Sequence, residues 1–169
     1  MMKRQIAAAC TALFLLLAQG ASAHGFKVGA LEIGHPYSRA MLPGAKVGGG
    51  YFKIVNTGDT ADRLVSVTSD RSPDVQIHEM KMDGAIMEMR PLPNGLDVPA
   101  HETVELKPAS YHVMFTKVTQ PFKEGEMIKA TLNFEKAGAV EVEFVVGPAG
   151  GEKAGDKADS HDAHKDHGK

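Results

Sequence analysis

Two short stretches hold the side chains best suited to chemistry. The first, "IHEMKMDGAIMEMR" at 77–90, sets Met80, Met82, Met87 and Met89 beside His78. The second, "YHVMF" at 111–115, pairs His112 with Met114. Imidazole and thioether without thiolate make a soft, nearly neutral donor set. Such donors favour Cu(I), whereas Mg, Ca and Mn prefer oxygen. Zinc is less well matched, because its usual protein ligands are Cys, His and carboxylates. A blue-copper electron-transfer centre needs a cysteine beside its histidines. The chain has one, Cys10, and it falls in the segment expected to be removed.

These donors need elements that aim them together. Asp83-Gly84 is a strong hairpin signal, since a two-residue type I′ loop needs positive φ at both central residues. With that loop, Met82 faces Ala85, Met80 faces Met87 and His78 faces Met89. All six share one face, because side chains alternate along a strand. Directly opposed Cβ atoms lie about 4.5–5.5 Å apart, within reach of a shared ion. The other face holds Val75, Ile77, Ile86 and Glu88, which can supply core. In the second stretch, alternation turns Tyr111, Val113 and Phe115 one way and His112 and Met114 the other. A methionine-rich strand face can also be packing, and the pattern does not choose between Met89 and the Met80/Met87 pair.

The surrounding chain reads as strands. Candidates are 27–33, 50–56, 62–69, 75–82, 85–92, 103–107, 110–118, 126–135 and 139–146, punctuated by Gly, Pro, Asn and Asp. No helical period persists over twelve residues, so the expected class is an all-β sandwich. Residues 1–23 read as a secretory signal peptide, with Lys3 and Arg4 before an apolar run and Ala21 and Ala23 before the cut. The apolar run is too short for a bilayer-spanning helix, and no second run offers a span after cleavage. Loss of Lys3 and Arg4 leaves 17 basic against 21 acidic residues, formally −4, unlike a nucleic-acid binder. The domain is expected over 24–147.

After Gly147 the chain lacks large apolar residues, and 148–169 is expected to be a disordered tail. It carries His161, His164 and His167 at three-residue spacing with Asp162 and Asp166, a harder set suited to Cu(II), Ni(II) or Zn(II). His24, at the new N-terminus, could chelate Cu(II) through amine and imidazole, but a single such residue reads first as a frayed terminus. His35 and His101 read as turn residues. The triple glycine at 48–50 precedes a strand, so it is not a dinucleotide loop, and no catalytic triad or carboxylate pair stands out.

His78, ten residues, Met89, then "HVM" at 112–114 resembles the signature of the periplasmic copper(I) chaperone family PCu(A)C. "PGAKVGGGYFKIVN" (43–56), "VQIHEMKMDGAIMEMR" (75–90) and "VELKPASYHVMF" (104–115) look like that family too. The 22 residues between Met89 and His112 exceed its usual spacing by one, and the extra residue is expected within "PLPNGLDVP" (91–99). The resemblance spans about 26–146. It implies a cupredoxin-like antiparallel β-sandwich holding Cu(I) on His78, Met89, His112 and Met114, with Met80 and Met82 as spares. The expected protein is a periplasmic carrier, a monomer and, with no catalytic constellation in the sequence, not an enzyme. Its expected partner is a cytochrome c oxidase subunit under assembly or another metallochaperone. The alternative is a metal-independent sandwich module with an adaptable methionine surface.

Overall fold

The computed structural model describes residues 25–150. The expected signal peptide, His24, and the tail histidines His161, His164 and His167 lie outside the described residues. Among the described residues eleven strands follow in order: β1 (Gly25–Val28), β2 (Leu31–Arg39), β3 (Gly48–Asn56), β4 (Asp62–Thr68), β5 (Asp74–Asp83) and β6 (Ile86–Pro91). Then come β7 (Leu96–Val98), β8 (Thr103–Leu106), β9 (His112–Thr116), β10 (Met127–Phe134) and β11 (Gly138–Gly147). Among the described residues no helix forms.

Hydrogen bonding links the strands as β6-β5-β9-β3-β2-β11-β10-β4-β7, with β1 on β2 and β8 on β3. Every pair is antiparallel except β11 with β2, which run parallel. Although β5 and β4 sit near opposite ends of that order, they come into contact. The sheet therefore curls on itself, and its two halves enclose one core, as a sandwich does. This is the all-β class expected from the alternation.

That alternation fills the core. Phe52 and Ile54 on β3, Val113 and Phe115 on β9, Ile128, Leu132 and Phe134 on β10, and Val142 and Phe144 on β11 all point inward and are buried. Phe115 packs edge-on against Phe122 at 5.3 Å and Phe144 at 5.7 Å between centroids. Edge-to-face pairs of this kind add about 0.5–1.5 kcal/mol beyond the area they bury. They anchor β9, the strand that also carries His112 and Met114.

The triple glycine explains itself here. A Cβ on Gly50 would lie 2.9 Å from both the Phe115 and Phe144 rings, and one on Gly48 would lie 2.8 Å from Phe122. Only bare backbone lets the aromatic cluster sit this close to β3. The expected single strand over 27–33 is instead two, β1 and β2, because Gly29 takes a positive φ of 56° and turns the chain.

Candidate metal centre

β5 lies between β6 and β9, so one face of three neighbouring strands collects the donors. The β5–β9 register sets His78 opposite His112 and Gln76 opposite Met114. Val113 and Phe115 face the core, which leaves His112 and Met114 on the outer face, as alternation requires. The two imidazoles meet at 5.6 Å between centroids, inclined at 64°. Both histidines are buried, His78 7 % and His112 8 % exposed.

The hairpin register differs from the sequence expectation. Asp83 pairs with Ile86, Met82 with Met87, Met80 with Met89, and His78 with Pro91. The loop is thus Gly84-Ala85 rather than Asp83-Gly84. Positive φ falls on Gly84 (60°) and not on Asp83 or Ala85, the pattern of a type II′ turn with glycine first. That turn avoids forcing Asp83 into the left-handed region. Pairing slides by two residues along β6, so every side chain keeps its face. Met89 becomes diagonal to His78 instead of opposite it, a separation that long side chains still bridge. An Arg90–Glu79 ion pair on the other face, at 2.7 Å, holds this register. Ile86 and Glu88, expected to help form core, are exposed, because β6 extends beyond the sandwich body.

Hydrogen bonds fix both rings. The Asp74 carboxylate can only accept, and Gln76 Nε2 lies 3.2 and 3.3 Å from its two oxygens. The amide nitrogen therefore faces Asp74, and Gln76 Oε1 faces His78 Nε2 at 2.8 Å. An amide oxygen accepts, so His78 Nε2 carries the proton and Nδ1 keeps its lone pair. Thr116 Oγ1 donates to Asp74 at 2.8 Å and holds the carboxylate in turn. His112 Nδ1 donates to the Ser110 carbonyl at 3.1 Å, leaving Nε2 as its lone-pair nitrogen. The same carbonyl accepts from the Met80 amide at 3.1 Å, tying β5 to the segment before β9.

His78 Nδ1 is buried and has no hydrogen-bond partner among the described residues. Leaving a buried polar atom unpaired costs about 1–3 kcal/mol. Burial first, and the nearby His112 second, hold the His78 pKa below the ordinary histidine value, with Asp74 opposing. The ring stays neutral and its free nitrogen is ready to bind a cation. Metal-bound histidines almost always donate their other nitrogen to a carbonyl or carboxylate, and both histidines here do so through oxygen acceptors. Among the described residues no cluster of three or more His, Cys, Asp or Glu side chains could hold a metal ion. An ion on these two imidazoles would draw its further protein ligands from sulfur, and Met114 and Met89 share the face. That donor set suits a soft ion of low charge.

Sequence reasoning found the two histidines and Met114 on one face but missed Gln76, Asp74 and Ser110. The signal was present for Gln76, which is two residues before His78 and so shares its face. His101 is a turn residue as expected, with φ of 58°, whereas His35 lies within β2, its φ of 52° marking the irregularity between Gly34 and Tyr37; neither joins the site.

The LpqE-like family model matches residues 31–146. Of solved structures, a copper-bound PCuAC domain from PmoF2 is 31 % identical, with a TM-score of 0.64, covering 74 % of this chain and 98 % of that one. The apo PmoF2 PCuAC domain is 30 % identical, with a TM-score of 0.65, covering 78 % and 100 %. Of curated relatives, Lxx21020 of Leifsonia xyli subsp. xyli (strain CTCB07), named as a lipoprotein, is 30 % identical over 81 residues, covering 48 % of this chain and 49 % of that protein. RP573 of Rickettsia prowazekii (strain Madrid E) is 25 % identical over 85 residues, covering 50 % and 47 %. The chain thus spans about half the length of the curated relatives it matches. The lipoprotein naming points to an exported protein, and no helix among the described residues is long and apolar enough to cross a membrane. With the family match across the folded region and the likeness to PCuAC domains over nearly their full length, the chain belongs to the LpqE-like family and carries a PCuAC-type domain.

Proposed function

We propose that this protein is a periplasmic copper chaperone that carries Cu(I) on His78, His112, Met114 and Met89 and passes it to a partner protein. The observation that carries this reading is the buried, unpartnered Nδ1 of His78, whose ring lies 5.6 Å from that of His112 across paired strands. Nothing in packing calls for that arrangement, and a soft cation would relieve it. Similarity to a copper-bound PCuAC domain supports the choice of metal.

A chaperone must hold its cargo without trapping it. Thioethers are neutral and bind less strongly than thiolates, and Met89, 49 % exposed, leaves one side of the ion open to an incoming ligand. The recipient we assign is a copper-accepting protein of the cytochrome c oxidase assembly route or another metallochaperone. The protein works as a monomer and is not an enzyme. In this reading residues 1–23 are cleaved on export and 24–147 form the copper domain. The tail 148–169 uses His161, His164 and His167 to capture Cu(II).

The test is a competition titration of the exported chain with Cu(I), with ligation read by X-ray absorption. The expected first equivalent has mixed nitrogen and sulfur ligation, and Met114→Ala weakens it without unfolding the domain. Equal or tighter Zn(II) binding at this site would contradict the proposal, as would unchanged Cu(I) affinity in folded Met114→Ala protein.

A further inference from the structure

The corrected register leaves an unexplained feature on the hairpin. Met80 pairs with Met89 and Met82 with Met87, so four thioethers stand on one face in two adjacent rungs. Within a rung the Cβ atoms lie about 4.5–5.5 Å apart, and the rungs are about 7 Å apart along the strands. Met side chains have enough rotatable bonds to close that gap. Packing does not account for three of them, since Met82 is 55 % exposed and Met87 and Met89 are each 49 % exposed, while Met80 is half-buried. All of β6 lies outside the core. The charged residues Glu79, Lys81, Glu88 and Arg90 alternate onto the opposite face and pair there among themselves, Lys81 with Glu88 and Glu79 with Arg90. The methionine face therefore carries sulfur and no carboxylate until His78 is reached.

We infer that Met80, Met82 and Met87, joined by Met89 when the imidazole centre does not hold it, form a second, thioether-only Cu(I) site at the hairpin end. Neutral sulfur ligands discriminate against Zn(II) and Cu(II), which seek nitrogen, oxygen or thiolate. The rungs lead toward His78, so Cu(I) taken up at Met82 and Met87 moves by exchange of one thioether at a time to Met80 and Met89. The imidazoles then capture it. No electron is transferred, and each step replaces one Cu–S bond with another or with Cu–N. The direction of movement rests on the function proposed above; the existence of the sulfur site does not.

The experiment titrates Cu(I), supplied in acetonitrile without oxygen, into three forms of the chain, following methionine methyl groups by NMR and ligation by X-ray absorption. Wild type is expected to take a second, weaker equivalent that shifts the Met82 and Met87 methyls. A His78→Ala/His112→Ala variant should still bind one Cu(I) with sulfur-only ligation. Met82→Leu/Met87→Leu keeps the apolar volume and should retain the mixed nitrogen–sulfur ion while losing the second equivalent. If wild type binds a single ion and the Met82 and Met87 methyls do not move, the sulfur site is overturned, whether or not the double histidine variant folds. Loss of nitrogen ligation in wild type with sulfur-only binding intact would instead overturn the imidazole centre and leave this site standing.

Discussion

Asp62 and His78 are both buried and polar, yet their surroundings are opposite. Asp62, 9 % exposed, starts β4 and accepts hydrogen bonds from the backbone N–H groups of Arg63 (2.7 Å), Lys136 (2.9 Å) and Ala137 (2.9 Å). Burial pushes its pKa up, but those three donors and the nearby Lys136 charge together outweigh burial and hold it below the usual carboxylate value. His78 is as deeply buried, and its Nδ1 meets no partner among the described residues. A satisfied buried group closes a structure, here by pinning the turn after β10 to β4. An unsatisfied one stores a binding capacity at a cost in stability, and only a ligand from outside repays it. Charge alone does not separate the two; the count of hydrogen bonds does.

The contrast can be broken most sharply from the imidazole side. His112→Ala should weaken Cu(I) binding by more than the about 10–100-fold that loss of an outer-shell partner costs, while the thermal midpoint of the apo protein stays close to wild type. The mirror experiment is Asp62→Ala, which strands backbone N–H groups and should cost about 1–3 kcal/mol in urea unfolding with Cu(I) affinity unchanged. Because the folded Asp62 pKa lies below the unfolded value of about 3.9, its contribution is present above that pH. It disappears as pH falls through the lower folded value. Asp62→Asn should therefore flatten the acid limb of stability against pH.

Gln76→Leu probes the link between the Asp74 carboxylate and the ring. It should weaken Cu(I) binding by about 10–100-fold and release the His78 tautomer, seen in imidazole ¹⁵N shifts of the apo protein. The smallest effect is expected for His78→Leu without metal. Replacing an orphaned polar ring by an apolar side chain should leave apo stability within about 1 kcal/mol of wild type, or raise it. A loss as large as that of Asp62→Ala would mean the two sites are alike after all.

Much of this was legible in the residues, for reasons tied to period. Alternation alone put His112 and Met114 opposite Val113 and Phe115, and the same rule held His78 on the methionine face through a register error of two. The register itself was not legible, because it turned on whether one or two loop residues take positive φ. Gly84 alone does so. The short β7 was missed because Gly95, with φ of 83°, and flanking prolines mask three residues of strand. The Asp74–Gln76–His78 relay was hidden for a different reason. Sequence gives the face of Gln76, but the direction of its amide is decided by an oxygen-only neighbour two residues further back.

The most direct measurement is the ¹⁵N spectrum of the histidine rings in the apo chain and with one equivalent of Cu(I). Protons at His78 Nε2 and His112 Nδ1 in the apo state, with Cu(I) moving His78 Nδ1 and His112 Nε2, is the expected result. Copper bound with both free nitrogens unmoved would contradict a centre built on these two imidazoles.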